Sequence, residues 1–87
     1  NPQVLNNLAT TYQLAGNTPM ALELYQKAVN LAPHFQDALL NLTTLYCEQG
    51  RYSEASKFWG NVIKQNNPRY NFISRRIELG LKKENIL

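Results

Sequence analysis

The sequence predicts an all-α chain of tandem antiparallel helix pairs. Two observations carry this: an echo at a step of 34 residues, and apolar spacings of three and four inside each copy. The echo sets Leu5-x-Asn7-Leu8-x-Thr10-x-Tyr12 beside Leu39-x-Asn41-Leu42-x-Thr44-x-Tyr46, and every named position matches. It continues with Gly16 and Gly50, Ala21 and Ala55, the aromatics Tyr25 and Trp59, and the apolar Ala28 and Val62. One helix pair leaves an apolar flank wet, and a second pair stacked there covers it, which is the physical reason such a period arises.

The first helix is expected from Pro2 to Ala15, where Val4, Leu5, Leu8, Thr11, Tyr12 and Ala15 form a stripe. Gly16-Asn17 ends it, since glycine takes the left-handed C-cap conformation without steric cost. Thr18 is expected to cap the second helix, with Pro19 at its first helical position. Ala21, Leu22, Leu24, Tyr25, Ala28, Val29 and Leu31 carry that helix to Pro33. So short a connection folds the two helices back antiparallel. Ala9, Ala21 and Ala28 are expected where the axes cross, with Leu5, Leu8, Tyr12, Leu24 and Tyr25 around them.

The second unit repeats this plan. Leu39, Leu42, Leu45 and Tyr46 lie on its first helix, and Gly50 marks its turn. Ser53 is expected to cap a helix carrying Ala55, Phe58, Trp59, Val62 and Ile63, which Asn66-Asn67-Pro68 ends. Pro68 follows Pro33 by 35 residues rather than 34, so one residue is inserted. A last helix over roughly Arg69 to Lys83 places Ile73, Ile77 and Leu81 at i, i+4 and i+8, with Tyr70 before them and Ile86 and Leu87 after. Gly80 falls inside this helix and weakens it, since glycine costs about 1 kcal/mol relative to alanine there. The organisation is thus a repeat over residues 2–34, a second over 36–68, and a helix over 69–85 that is either a cap or the first half of a third repeat.

Eighty-seven residues make one small domain with a modest core. The opening at Asn1, without an initiator methionine, suggests a piece of a longer chain. No apolar run reaches the length of a membrane span and no leader-like segment is present, which constrains localisation only weakly, with the cytoplasm favoured. The single Cys47 excludes an internal disulfide, and with only His34 beside it in the inventory it excludes a structural zinc site. No cofactor or metal is expected. Charge is uneven: residues 1–50 hold Lys27 against Glu23, Asp37 and Glu48, whereas residues 51–87 hold eight cations against three carboxylates.

Set in their registers, these residues resemble the tetratricopeptide repeat. The first unit supplies Leu5, Leu8-Ala9, Tyr12, Gly16, Ala21, Tyr25, Ala28 and Pro33. The second supplies Leu39, Leu42, Tyr46, Gly50, Ala55, Trp59 and Val62, and departs at Thr43, where glycine or alanine is usual, and at the displaced Pro68. The resemblance covers residues 2–68 well and the remainder loosely. It implies a right-handed α-α superhelix, here two repeats plus a C-terminal helix, in which the first helix of each pair, the A helix, lines a concave groove that binds peptides.

The polar positions on the A helices fit that expectation. Gln3, Asn6, Asn7, Thr10 and Gln13 point away from the apolar stripe of the first, and Asp37, Leu40, Asn41, Thr44, Cys47 and Glu48 from that of the second. Asn7 and Asn41 are the sharpest candidates, because a carboxamide carries both a donor and an acceptor and can clasp a peptide backbone group whatever the side chains. The expected ligand groove is Gln3, Asn6, Asn7, Thr10, Asp37, Asn41, Thr44 and one of Arg75 or Arg76. Arg75 follows in an unbroken 34-residue register. Arg76 follows if the insertion is counted, which also aligns Ile77 and Leu81 with Leu42 and Tyr46.

Some tetratricopeptide proteins hold chaperone tails in a carboxylate clamp of two Lys, two Asn and one Arg. Asn7, Asn41 and Arg75 or Arg76 match, but the Lys positions fall on Gln3 and on Asn71 or Phe72, so the clamp loses most of its charge complementarity. The basic segment Arg69, Arg75, Arg76, Lys82 and Lys83, with Tyr70 and Phe72 near, raises nucleic acid as a partner; a solvated helix face explains it more simply. Catalysis has little support. His34 follows Pro33 in a loop, Cys47 has no orienting partner at a suitable spacing, and Asp37 and Glu48 lie about three helical turns apart. The expected function is therefore a noncatalytic protein-interaction scaffold taking a peptide or partner segment, an acidic one favoured. The alternatives are a substrate-guiding array of a larger enzyme, as in O-linked N-acetylglucosamine transferases, and a structural module that self-associates.

Overall fold

A computed structural model describes residues 1–63 and 71–83, with the side chains of 1–60 and 71–83. It is all-α. The described helices are α1 (Pro2–Leu14), α2 (Thr18–Leu31), α3 (Gln36–Glu48), α4 (Tyr52–Ile63) and α5 (Asn71–Lys83), packed in adjacent pairs. The chain divides within α3 into two compact units, Asn1–Leu42 and Thr43–Leu87. Pro68 and its one-residue slip, Arg69, Tyr70, Ile86 and Leu87 lie outside the described residues, as do the side chains of Val62 and Ile63.

The two turns between paired helices are built alike. Gly16 at φ +83° and Gly50 at φ +74° take the left-handed conformation. Asn17 N–H donates to the Tyr12 carbonyl at 2.9 Å and Gly16 N–H to Gln13 at 3.0 Å; Arg51 N–H donates to Tyr46 at 2.8 Å and Gly50 N–H to Cys47 at 3.0 Å. Both are Schellman closures, which satisfy the orphan carbonyls at a helix end.

The helix starts differ from expectation. Asn17, not Thr18, caps α2, its side chain accepting from the Met20 amide at 3.3 Å, and Thr18 is already helical. α4 begins at Tyr52, so Ser53 lies inside its first turn rather than at the cap. In that turn Glu54 instead receives the Arg51 guanidinium, Nε to Oε1 at 2.8 Å, while Arg51 also lies over the Tyr46 ring at 4.8 Å. A carboxylate there also faces the positive end of the helix dipole.

The small residues predicted at the crossing are fully buried: Ala9, Ala21 and Ala28 each expose nothing. Tyr25, Leu24, Leu39, Leu42, Tyr46 and Trp59 fill the core as expected. The stripe of α1 does not. Val4 is 60% exposed and Leu8 43%, and Leu31 of α2 is also exposed. The positions 34 residues after Val4 and Leu8, Ala38 and Leu42, are fully buried. Among the described residues, the stripe of α1 is covered only in part.

α5 runs through Gly80 without a break and ends at Lys83, where the spacing puts its end. The reason for a glycine there is tertiary. Gly80 is buried, and a Cβ placed there would overlap the Tyr52 ring of α4. Trp59 Nε1 of α4 donates to Ser74 Oγ of α5, a second tie between the pair.

Candidate functional site

The polar face of α1 is a linked set of side chains. Asn7 is exposed and its Oδ1 accepts from Gln3 Nε2 at 2.9 Å. One turn on, the Tyr25 hydroxyl rises from α2, donates to Gln13 Oε1 at 2.8 Å and lies 2.9 Å from Thr10 Oγ1. Thr10 Oγ1 also lies 3.0 Å from the Asn6 carbonyl, so one hydroxyl proton has two acceptors to serve. Asn6 was expected to point into the open groove. It is buried at 5% exposure, and its Oδ1 accepts from Asn41 Nδ2 of α3 at 3.0 Å.

That bond makes Asn7 and Asn41 unequal. They share a place in the repeat, yet Asn41 is half-buried and holds the first A helix to the second, while Asn7 stands in solvent beside Gln3. The position of Asn6 is taken in the second repeat by Leu40, so the clasp cannot recur in the same form. Asp37 is exposed in the first turn of α3 and Thr44 is half-buried. Cys47, expected on the polar face, is buried; burial pushes its thiol pKa up, partly opposed by the charge of Arg76.

Arg75 and Arg76 have different surroundings. Arg76 acts electrostatically on Cys47 of α3, whereas Arg75 lines a surface depression of about 520 Å³ with Phe72, Glu78, Leu79 and Lys82. The buried residues of α5 are Ile73, Ile77, Gly80 and Leu81. A step of 35 residues places them on Ala38, Leu42, Leu45 and Tyr46, all buried, and puts Arg76 on Asn41.

Two features of this region went unread in the sequence. The Tyr25 hydroxyl belongs to the polar network, although Tyr25 reads as a core aromatic; the signal was a phenol where phenylalanine would fill the same space. The Arg51–Glu54 pair is the other. Hydrogen bonding from Arg51 holds the Glu54 carboxyl below its ordinary pKa, and the only sequence signal was the i, i+3 spacing. Among the described residues, no group of three or more His, Cys, Asp and Glu side chains is placed to hold a metal ion. No described helix is long and apolar enough to cross a membrane.

Comparison with known proteins agrees with this architecture. A family model described as tetratricopeptide repeat matches residues 12–71. The BBSome complex member BBS4 of Bos taurus is 32% identical over 66 residues, which cover 76% of this chain and 13% of that protein. The chain therefore corresponds to a small part of that relative's length. No solved structure gives a significant match. With the helix pairs, the duplicated Schellman turns and the buried small residues in register, the chain belongs to the tetratricopeptide repeat family.

Proposed function

We propose that this chain is a noncatalytic protein-interaction module that takes a peptide or partner segment on the polar face of its A helices. The observation that carries the reading is the Asn41–Asn6 bond, which fixes one carboxamide at the junction of α1 and α3 while Asn7 stays in solvent nearby on α1. Asn41 keeps its Oδ1 to accept from a ligand N–H, and Asn7 keeps its Nδ2 to donate to a ligand carbonyl. A peptide backbone offers both groups at every residue, so the face suits an extended chain of varied sequence.

Gln3, Asn6, Thr10, Asp37 and Thr44 complete this surface in the reading, with Arg76 rather than Arg75 beside it. Arg76 is favoured by the 35-residue register of α5 and by its influence on Cys47. A guanidinium there selects for a carboxylate in the ligand. The likeness to a member of a multiprotein complex supports a protein as partner.

The test is binding of partner proteins or peptides to the wild type beside Asn7→Ala and Asn7→Ala/Asn41→Ala variants, each checked for folding by circular dichroism. Loss of the same partners from both variants supports the face. Identical partner sets for all three proteins remove it from the account.

A further inference from the structure

Apart from Arg76, the charge and apolar surface of α5 are not used by the A-helix face. α5 carries Arg75, Arg76, Lys82 and Lys83 against the single carboxylate Glu78, and it exposes two large apolar side chains, Phe72 at 67% and Leu79 at 58%. These two sit seven residues apart, on one side of the helix. Phe72, Leu79, Arg75 and Lys82 all line the depression of about 520 Å³. A second depression of about 390 Å³ lies between α4 and α5, floored by Trp59, Ile77 and Leu81. Both share Ser74, Glu78 and Lys82, a row at i, i+4 and i+8, so the two hollows flank one ridge of α5.

The inner hollow is open to a backbone. Gly60 of α4 lines it, is exposed, and has nothing within 4 Å of where a Cβ would stand. An apolar crevice between two packed helices, with a small residue on its wall, accepts the ridge of a third helix. Contiguous exposed apolar surface rimmed by charge marks a place of association.

We infer that the α4–α5 surface is a second docking site, whose occupant is an acidic amphipathic helix of a partner protein. The apolar stripe of that helix fills the hollows at Phe72, Leu79 and the Trp59–Leu81 floor. Its flanking carboxylates meet Arg75 and Lys82, and Glu78 is the one group they must avoid. Charge complementarity selects this occupant: with Arg76 left to the A-helix face, Arg75, Lys82 and Lys83 against the one carboxylate of α5 repel a basic helix and steer an acidic one. A groove-in-helix mode reads such a partner through anchors at i, i+3 or i+4, and i+7.

The experiment uses the whole chain and a synthetic helical peptide with leucines at those spacings and glutamates on the flanks, followed by Trp59 fluorescence and calorimetry. The expected result is micromolar binding that weakens about tenfold or more when salt is raised from low to several hundred millimolar. Phe72→Glu and Leu79→Glu, both at exposed positions, should abolish it while the melting temperature holds. Arg75→Glu/Lys82→Glu should weaken it about tenfold or more, and Glu78→Gln should tighten it. Asn7→Ala/Asn41→Ala should leave it unchanged, which separates this site from the A-helix face. Equal binding of a peptide with lysines in place of the glutamates overturns the proposal, as does indifference to Leu79→Glu. A dimer that Leu79→Glu dissociates makes the occupant a second copy, and saturable binding to anionic vesicles without peptide binding makes it a lipid surface; either result overturns it too.

Discussion

Leu8 and Leu42 hold the same place in their repeats, 34 residues apart, yet Leu8 is almost half exposed and Leu42 is sealed. The same step separates the exposed Val4 from the buried Ala38 and the exposed Asn7 from the half-buried Asn41. In each case the residue type reports what a repeat contains, and the neighbours decide what it contributes. A repeat array places its hydrophobic residues at interfaces, so an identical leucine stabilises a helix far more where neighbours cover it than where they do not. Substitutions made in matched pairs therefore test the register directly.

The largest contrast is expected at the leucines. Leu42→Ala removes a fully buried side chain and leaves a cavity, a loss of about 2 to 5 kcal/mol that threatens so small a fold. Leu8→Ala gives up much less, about 1 kcal/mol or under, because part of its surface is already in water. Chemical denaturation of the two variants decides this. Equal midpoints would mean that the two leucines are equally covered in solution and that the contrast in burial does not hold.

The glycines of the second unit give a contrast of sign. Gly80→Ala puts a methyl group into the Tyr52 ring, so the fold must shift at a cost of about 1 to 3 kcal/mol, more than the helix propensity it gains. Gly60→Ala meets open space in α4 and should stabilise by up to about 1 kcal/mol. Thermal melts moving in opposite directions would bear this out. A rise for Gly80→Ala would mean that α4 and α5 do not meet at this position.

Much of the fold was legible because repetition states it twice. The Schellman turns at Gly16 and Gly50 and the buried Ala9, Ala21 and Ala28 follow from residue type and spacing alone. Exposure of Val4 and Leu8 was not legible, since an apolar stripe says that a helix can be covered and not that it is. The reason for a glycine at position 80 was not legible either: propensity is local, whereas the Tyr52 ring that requires a missing Cβ comes from another helix. On the polar face, Asn7 and Asn41 were singled out by their echo. The clasp between Asn41 and Asn6 depends on two residues 35 apart meeting, which no spacing rule within one helix contains.

The asparagines come next in size. Asn41→Ala leaves the buried Asn6 Oδ1 without its donor, an expected loss of about 1 to 3 kcal/mol. Asn7→Ala, at an exposed position whose partner Gln3 can turn to water, should stay within about 0.5 kcal/mol. Urea melts of the two variants measure the difference. An Asn41→Ala variant as stable as wild type would mean the clasp is not formed in solution. Thr43 supplies the opposite case: its hydroxyl is buried with no partner among the described residues, where the first repeat has Ala9. Thr43→Val keeps the shape and removes the stranded oxygen, and should raise stability by about 1 kcal/mol. A fall in melting temperature would instead reveal an acceptor for that hydroxyl.

The smallest effect is expected at the two turns' second residues, Asn17 and Arg51. Asn17 caps α2 with a neutral side chain, so its contribution does not titrate over the acid range. Arg51 works through Glu54, whose carboxyl its hydrogen bonds hold below the ordinary pKa. A carboxyl with a lowered folded-state pKa stabilises fully above its unfolded value, about 4.3, and loses that contribution as pH falls through the folded value. The gap in melting temperature between wild type and Glu54→Gln should therefore be constant near neutrality, narrow below about pH 4, and shrink with added salt because the pair lies at the surface. The gap between wild type and Asn17→Ala should not narrow over the same range. If both gaps close together in acid, the loss belongs to the whole fold and the Arg51–Glu54 pair has no separate part in starting α4.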